Sequence, residues 1–216
     1  MPPLPAELDR LLHDLRGPLN SAVMHVEVLR RAAGSDPAAK QSVDTLADQL
    51  QRLAAMLPAV FDVVALELGT PGMVDLRDVA RAARAETDDS VVLADGTWPT
   101  VIGDPRLLTM ATTHLLRNAL TSTRTAGAGR SAPHVSGDVT DDGHAALRVR
   151  DWGVGLKSAN PKVLVRLGVS AGGLPPRGRG IGLLASERIA RLHGGTLAFR
   201  QLEDGAEVAL VLPLAG

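Results

Sequence analysis

The sequence predicts an antiparallel helical hairpin followed by an α/β sandwich with a mixed sheet. Three observations carry that reading. Residues 4–68 show helical periodicity only. Beyond residue 72, short strand-like runs interleave with helical stretches and are joined largely by hairpin turns. Between the two regions stands Gly69-Thr70-Pro71-Gly72, a run of turn residues that reads as a linker. The expected domains are therefore 1–70 and 71–216.

In the first helix Leu8, Leu12, Leu15, Leu19, Ala22, Val26 and Leu29 recur at spacings of four and three. Gly34 suits the position after a helix end, and Asp36-Pro37 reads as an N-cap and first helical residue. The second helix repeats the alternation in Val43, Leu46, Leu50, Leu53, Leu57, Val60 and Val64. Seams of this kind with a very short turn between them make a hairpin, and a lone hairpin has no second layer to cover its apolar face. Two copies would form a four-helix bundle, so a homodimer is expected. The other solution is to pack against the rest of the same chain.

After the linker, Asp75 caps a helix running to about Glu86. VVLA (91–94) and PTVIG (99–103) read as strands, and Asp104 opens a helix through MATTHLLRNAL. HVSGDVT and AALRVRD are strands joined by the hairpin signal Asp141-Asp142-Gly143. A Gly- and Pro-rich stretch spans 153–180, a helix follows from Ile181 to about Leu192, and TLAFRQL and EVALVLPL close the chain as strands around Asp204-Gly205.

Composition excludes several classes. The 216 residues carry 23 basic and 24 acidic side chains, a net charge of −1, which gives no footprint for nucleic acid or an anionic membrane. Cysteine is absent, so disulfides, thiolate metal sites and thiol catalysis are out. No run approaches the ~20 apolar residues of a membrane span, and the start MPPLPAELDR has no signal-peptide pattern. A cytoplasmic protein is expected. Aromatic residues make up only 2%, so the core must be built from Leu, Val, Ala and Ile.

Four segments carry chemistry. LLHDLRGPLN (11–20) places His13 off the apolar seam, with Asp9, Arg10, Arg16 and Gly17 as its helical neighbours. Gly17 and Pro18 loosen the helix one turn later, because Pro18 cannot donate to the carbonyl of Asp14. An exposed neutral imidazole is a nucleophile near neutral pH, and the adjacent Asp14 can take its proton. A solvated histidine beside a salt-bridging aspartate fits the segment too. In THLLRNAL (113–120), Asn118 offers an amide oxygen on a helix face shared with His114, suited to Mg²⁺. In DWGVGL (151–156), Asp151 ends a strand before Gly153 and Gly155. It can accept a hydrogen bond from an exocyclic amine such as adenine's, or simply end the strand. In GRGIGLLASERIARLHGG (178–195), Gly178, Gly180 and Gly182 open a helix whose N–H groups can bind phosphate, with Arg177 and Arg179 adding charge. The strand that must precede a dinucleotide-binding turn is missing there.

In this order the segments resemble the sensor histidine kinase family. LLHDLRGPLN is similar to its phosphoacceptor box, HLLRNAL to its asparagine box, DWGVG and GRGIGL to its two glycine boxes. VIGDPRLL, RIARLHGG and DGAEVALVLPL match in place, so the resemblance covers about residues 6–213. It implies a dimerisation and histidine-phosphotransfer hairpin followed by a Bergerat-type (GHKL) ATP-binding domain. By the resemblance, His13 is the phosphoacceptor, Asp14 the general base and Asn118 the Mg²⁺ ligand. Asp151 reads the adenine amine, while Gly153, Gly155, Gly178, Gly180 and Gly182 shape the nucleotide loop and its lid. ATP and Mg²⁺ are the implied cofactors, and a response regulator receiver domain is the implied partner.

The departures from the family pattern are specific. His114 stands in place of the first Asn of the asparagine box, Thr121 in place of a phosphate-contacting Lys that Arg124 or Arg130 would have to replace, and Ala206 in place of a common Thr. LVRLGVSAGGLPPRG has no aromatic residue where the family has a phenylalanine box. Gly17 replaces the Thr or Asn that supports phosphatase activity, which implies weak dephosphorylation of the partner. No sensor domain is apparent, so the input comes either from a separate sensor protein or from a sensor domain removed from this chain. The alternative function is an ATP-independent histidine phosphotransferase that relays phosphate between response regulators.

Overall fold

The structure is a computed structural model and describes residues 6–32, 37–156, 160 and 181–215, with the side chains of 6–14, 18, 32 and 52 outside that description. Two compact units divide between Leu66 and Glu67. The expected turn at Gly34–Asp36 lies outside the described residues.

The first unit is two long helices, α1 (Ala6–Ala32) and α2 (Pro37–Val64). The helical assignment of α1 continues through Gly17 and Pro18 without interruption. The helices pack on each other with Val26 and Ala47 buried, and Arg30 Nε reaches Asp44 Oδ1 across the hairpin at 3.0 Å. The seam read from the sequence splits in two. Leu19, Ala22, Val43, Leu50 and Leu57 are at least partly covered. Leu46 and Leu53 are each 52% exposed, and Leu15, Leu29 and Val64 are exposed with them.

The second unit begins with β1 (Gly72–Asp75) and α3 (Leu76–Ala85), followed by β2 (Val92–Leu93), β3 (Thr100–Gly103) and α4 (Pro105–Thr125). Then come β4 (His134–Val139), β5 (His144–Asp151), α5 (Gly182–Leu192), β6 (Thr196–Leu202) and β7 (Gly205–Pro213). The main sheet runs β2-β4-β5-β7-β6; β2 and β4 are parallel and the other pairs antiparallel, the expected mixed sheet. The strand β1 replaces part of the expected linker. It pairs with β3 in a separate two-stranded ribbon, Met73 opposite Ile102.

Local chemistry explains the element ends. Asp75 caps α3 by accepting from Arg77 N–H. Asp104 caps α4 by accepting from Arg106 and Leu107, ahead of Pro105 at the first turn; such caps are worth about 1 kcal/mol each. Gly143 turns the β4–β5 hairpin at φ +80°. The helices cover one face of the sheet with Leu107, Leu108, Leu115, Leu116 and Ile189 against Leu147, Leu210 and Leu212, all buried. No helix among the described residues is long and apolar enough to cross a membrane.

One residue, Asp104, ties three segments together. Asp104 Oδ2 accepts from Gly69 N–H at 2.9 Å, fastening the chain just after the first unit. The Asp104 N–H donates to His193 Nε2 at 3.0 Å, and His193 Nδ1 faces the Ile189 carbonyl at 2.7 Å. The Nε2 therefore accepts, which places the ring proton on Nδ1. Gly103 lies so close that a Cβ there would come within 2.7 Å of the imidazole. VIGDPRLL and RIARLHGG, far apart in sequence, thus meet at one contact.

Candidate functional site

Alternation along β5 turns Leu147, Val149 and Asp151 toward the helices. The first two join the core; the third, 7% exposed, brings a carboxyl to its edge. Asp151 Oδ1 accepts from Ser122 Oγ at 3.1 Å and from Gly153 N–H at 2.8 Å, and the Ala206 N–H also bonds this carboxyl. Burial raises the Asp151 pKa above the ordinary carboxylate value, and the bonds from Gly153, Ser122 and Ala206 offset only part of that. A carboxylate offers about four lone-pair directions, so acceptor capacity remains for a ligand amine.

The glycines around it are sites of close approach. A Cβ on Gly153 would overlap Ser122, backbone included. Gly155 has φ +75° and rests against the Gln201 side chain. Gly205 has φ +111° and sits on the Asp151 carbonyl. None of the three tolerates a side chain without moving the loop.

On α4, His114, Asn118 and Ser122 follow at intervals of four and form one row along the helix. Ser122, at one end, holds Asp151. His114, at the other, lies 3.5 Å from the position of a Cβ on Gly182, the first residue of α5. Asn118 stands between them, exposed, its amide in no hydrogen bond among the described residues. Ile181 provides no side-chain cap for α5, so that helix start presents N–H groups without a side-chain acceptor. Burial, and then the charge of Arg117, lower the His114 pKa and keep the imidazole neutral at pH 7.

Residues 103–216 match the family model for histidine kinase-, DNA gyrase B- and HSP90-like ATPases, and residues 7–69 match that of the His Kinase A (phospho-acceptor) domain. The chain belongs to the sensor histidine kinase family. It is 30% identical to the histidine protein kinase DivJ of Caulobacter vibrioides, over 96% of this chain and 37% of that one. It is 28% identical to the virulence sensor protein BvgS of Bordetella parapertussis, over 89% of this chain and 17% of that one. The chain thus spans well under half the length of these relatives. The crystal structure of full-length ShkA in complex with AMPPNP has the same fold, with a TM-score of 0.59 at 22% identity over 99% of this chain and 46% of that one.

Within this kinase family framework, the structure brings Asp151, Gly153, Gly155, Asn118, His114 and Gly182 to one side of the ATPase unit. His13 and Asp14 lie on α1, with side chains outside the described residues, and Gly17 has open space around it. Arg177, Gly178, Arg179 and Gly180 also lie outside the described residues. Thr121 spends its hydroxyl on the Arg117 carbonyl, and Arg124 pairs with Asp88 at 2.8 Å. Sequence reasoning missed Ser122 and Gln201. Ser122 was findable, four residues beyond Asn118 on the same face. Gln201 had no local signal, because its contacts cross from β6 to the loop after β5.

His114 also makes a pH prediction. Its pKa is depressed in the folded state, so the stability linked to it is complete above about 6.5, the unfolded value, and is lost as pH falls through the lower folded value. His114→Asn should flatten the acid side of the thermal-stability profile. Midpoints measured between about pH 5.5 and 7.5 that fall equally in wild type and variant would refute this.

Proposed function

We propose that this chain is an ATP-dependent protein histidine kinase that phosphorylates His13 and passes the phosphoryl group to an aspartate of a response regulator receiver domain. The observation that carries the reading is the row His114–Asn118–Ser122, running from the start of α5 to the buried carboxyl of Asp151. It suits a ligand with an amine-bearing base at one end and phosphates at the other. The family match supports ATP as that ligand.

The residues fit a nucleotide-bound Mg²⁺. Among the described residues no group of three or more His, Asp or Glu side chains could hold a metal alone. Asn118 supplies one unengaged amide oxygen, as expected for a cation that takes its other ligands from phosphates and water. When bound, Mg²⁺ would neutralise charge on the β- and γ-phosphate oxygens.

In the reaction, a neutral ring nitrogen of His13 attacks the γ-phosphorus. The bond to the β–γ bridging oxygen breaks, and ADP leaves with that electron pair. Asp14 takes the ring proton. The receiver aspartate then attacks the phosphorus, the electron pair of the P–N bond returns to His13, and Asp14 gives the ring its proton back. Asp151 orients the base, while neutral His114 can donate or accept at the phosphates. Leu15, Leu46 and Leu53 are exposed on the hairpin, and the need to cover them with a second copy supports a homodimer. ATP use places the reaction in the cytoplasm.

Incubation with γ-labelled ATP and Mg²⁺ tests the reading. Acid-labile, alkali-stable label on the wild type, lost in both His13→Gln and Asn118→Ala, is expected. A wild type that stays unlabelled but accepts phosphate at His13 from a phosphorylated receiver would replace the kinase with the relay phosphotransferase.

A further inference from the structure

Gln201 stands at the same level of the sheet as the adenine-reading candidate. It is opposite Ala206 in β7, and Ala206 is opposite Asp151 in β5. From the edge strand β6 its side chain reaches the loop that follows Asp151. Gln201 Oε1 accepts from the Leu156 N–H at 2.6 Å. Its Nε2 donates to the carbonyls of Leu202 at 2.8 Å and Gly205 at 2.9 Å. Its amide also lies where a Cβ on Gly155 would be.

The loop Trp152–Leu156 is therefore gripped at both ends. Ser122 and Asp151 hold Gly153, while Gln201 holds Gly155 and Leu156. We propose that Gln201 is a positioning residue for nucleotide binding, fixing the glycine loop against the β6–β7 turn so that Asp151 meets the base in one geometry. The inference rests on the ATP-binding reading above. It needs both faces of a primary amide. The oxygen must accept from Leu156, and the nitrogen must donate to two carbonyls at once. A glutamate of the same shape keeps the first contact and sets a negative oxygen against the Leu202 and Gly205 carbonyls. A methionine of similar size keeps the packing and loses the donors. Gln201 is exposed and outside the core, so neither change removes buried apolar contact.

The test measures AMPPNP–Mg²⁺ binding, autophosphorylation kinetics and thermal midpoints on the full chain, for wild type, Gln201→Glu and Gln201→Met. Both variants are expected to bind about tenfold more weakly and to raise KM for ATP similarly, with kcat within about twofold and the midpoint unchanged. Wild-type affinity in either variant overturns the inference, because shape alone then suffices. A fall in midpoint that accompanies the lost affinity also overturns it, in favour of a scaffolding role. A wild type that does not bind AMPPNP sinks the ATP reading itself, a result distinct from failure of the variants.

Discussion

Gly153→Ala is expected to lower the thermal midpoint of the ATPase unit and to abolish measurable AMPPNP binding. The added Cβ would meet the backbone of Ser122 as well as its side chain, and a backbone cannot rotate away. The loop must lift off α4. Lifting it withdraws the Gly153 N–H from Asp151 Oδ1, and moving Ser122 withdraws the second donor. Overpacking of this kind costs about 1–3 kcal/mol, equivalent to roughly 3–9 °C for a unit of this size. Gly72→Ala is the control, since open space surrounds that position and its φ is not positive. A Gly153→Ala chain that melts and binds AMPPNP like wild type would show that the tight loop seat has no part in nucleotide binding.

Asp151→Asn separates binding from stability. Burial raises the Asp151 pKa, so the folded chain holds that proton more tightly than the unfolded chain. Ionising the group costs stability as pH rises from the ordinary carboxylate range through the raised value, and the cost persists at pH 7. Removing the charge therefore should leave the midpoint level or raise it. Nucleotide binding should respond the other way. A hydrogen bond from the adenine amine to a charged acceptor is lost, which corresponds to between about tenfold and a hundredfold in affinity. Wild-type binding should also weaken as pH falls through the raised pKa of Asp151, while the variant stays flat over the same range. Equal AMPPNP affinity in wild type and Asp151→Asn at pH 7 would remove Asp151 as the base-reading group.

The helices, the hairpin strands and the mixed sheet were legible because their signals are local. Asp75 and Asp104 act on N–H groups two and three residues away, and Gly143 supplies its own turn. The seams of α1 and α2 were legible as apolar, but the sequence could not say which half each hairpin covers. That depends on the rotation of one helix against the other. It leaves Leu46 and Leu53 open while Val26 and Ala47 close. The strand β1 was missed because Gly72–Asp75 is only four residues long with one buried side chain, Val74, and its partner β3 lies beyond a helix.

By itself, then, the sequence determined the order and type of the main elements, the two-part organisation and the family, since each rests on short-range periodicity, caps or ordered motifs. Only the tertiary structure decided what those motifs touch. Ser122 under Asp151, Gln201 across the glycine loop, His114 beside Gly182 and His193 on Asp104 are pairings between distant segments. Such a contact depends on where two backbones come to rest, and neither segment carries a local pattern that records its partner.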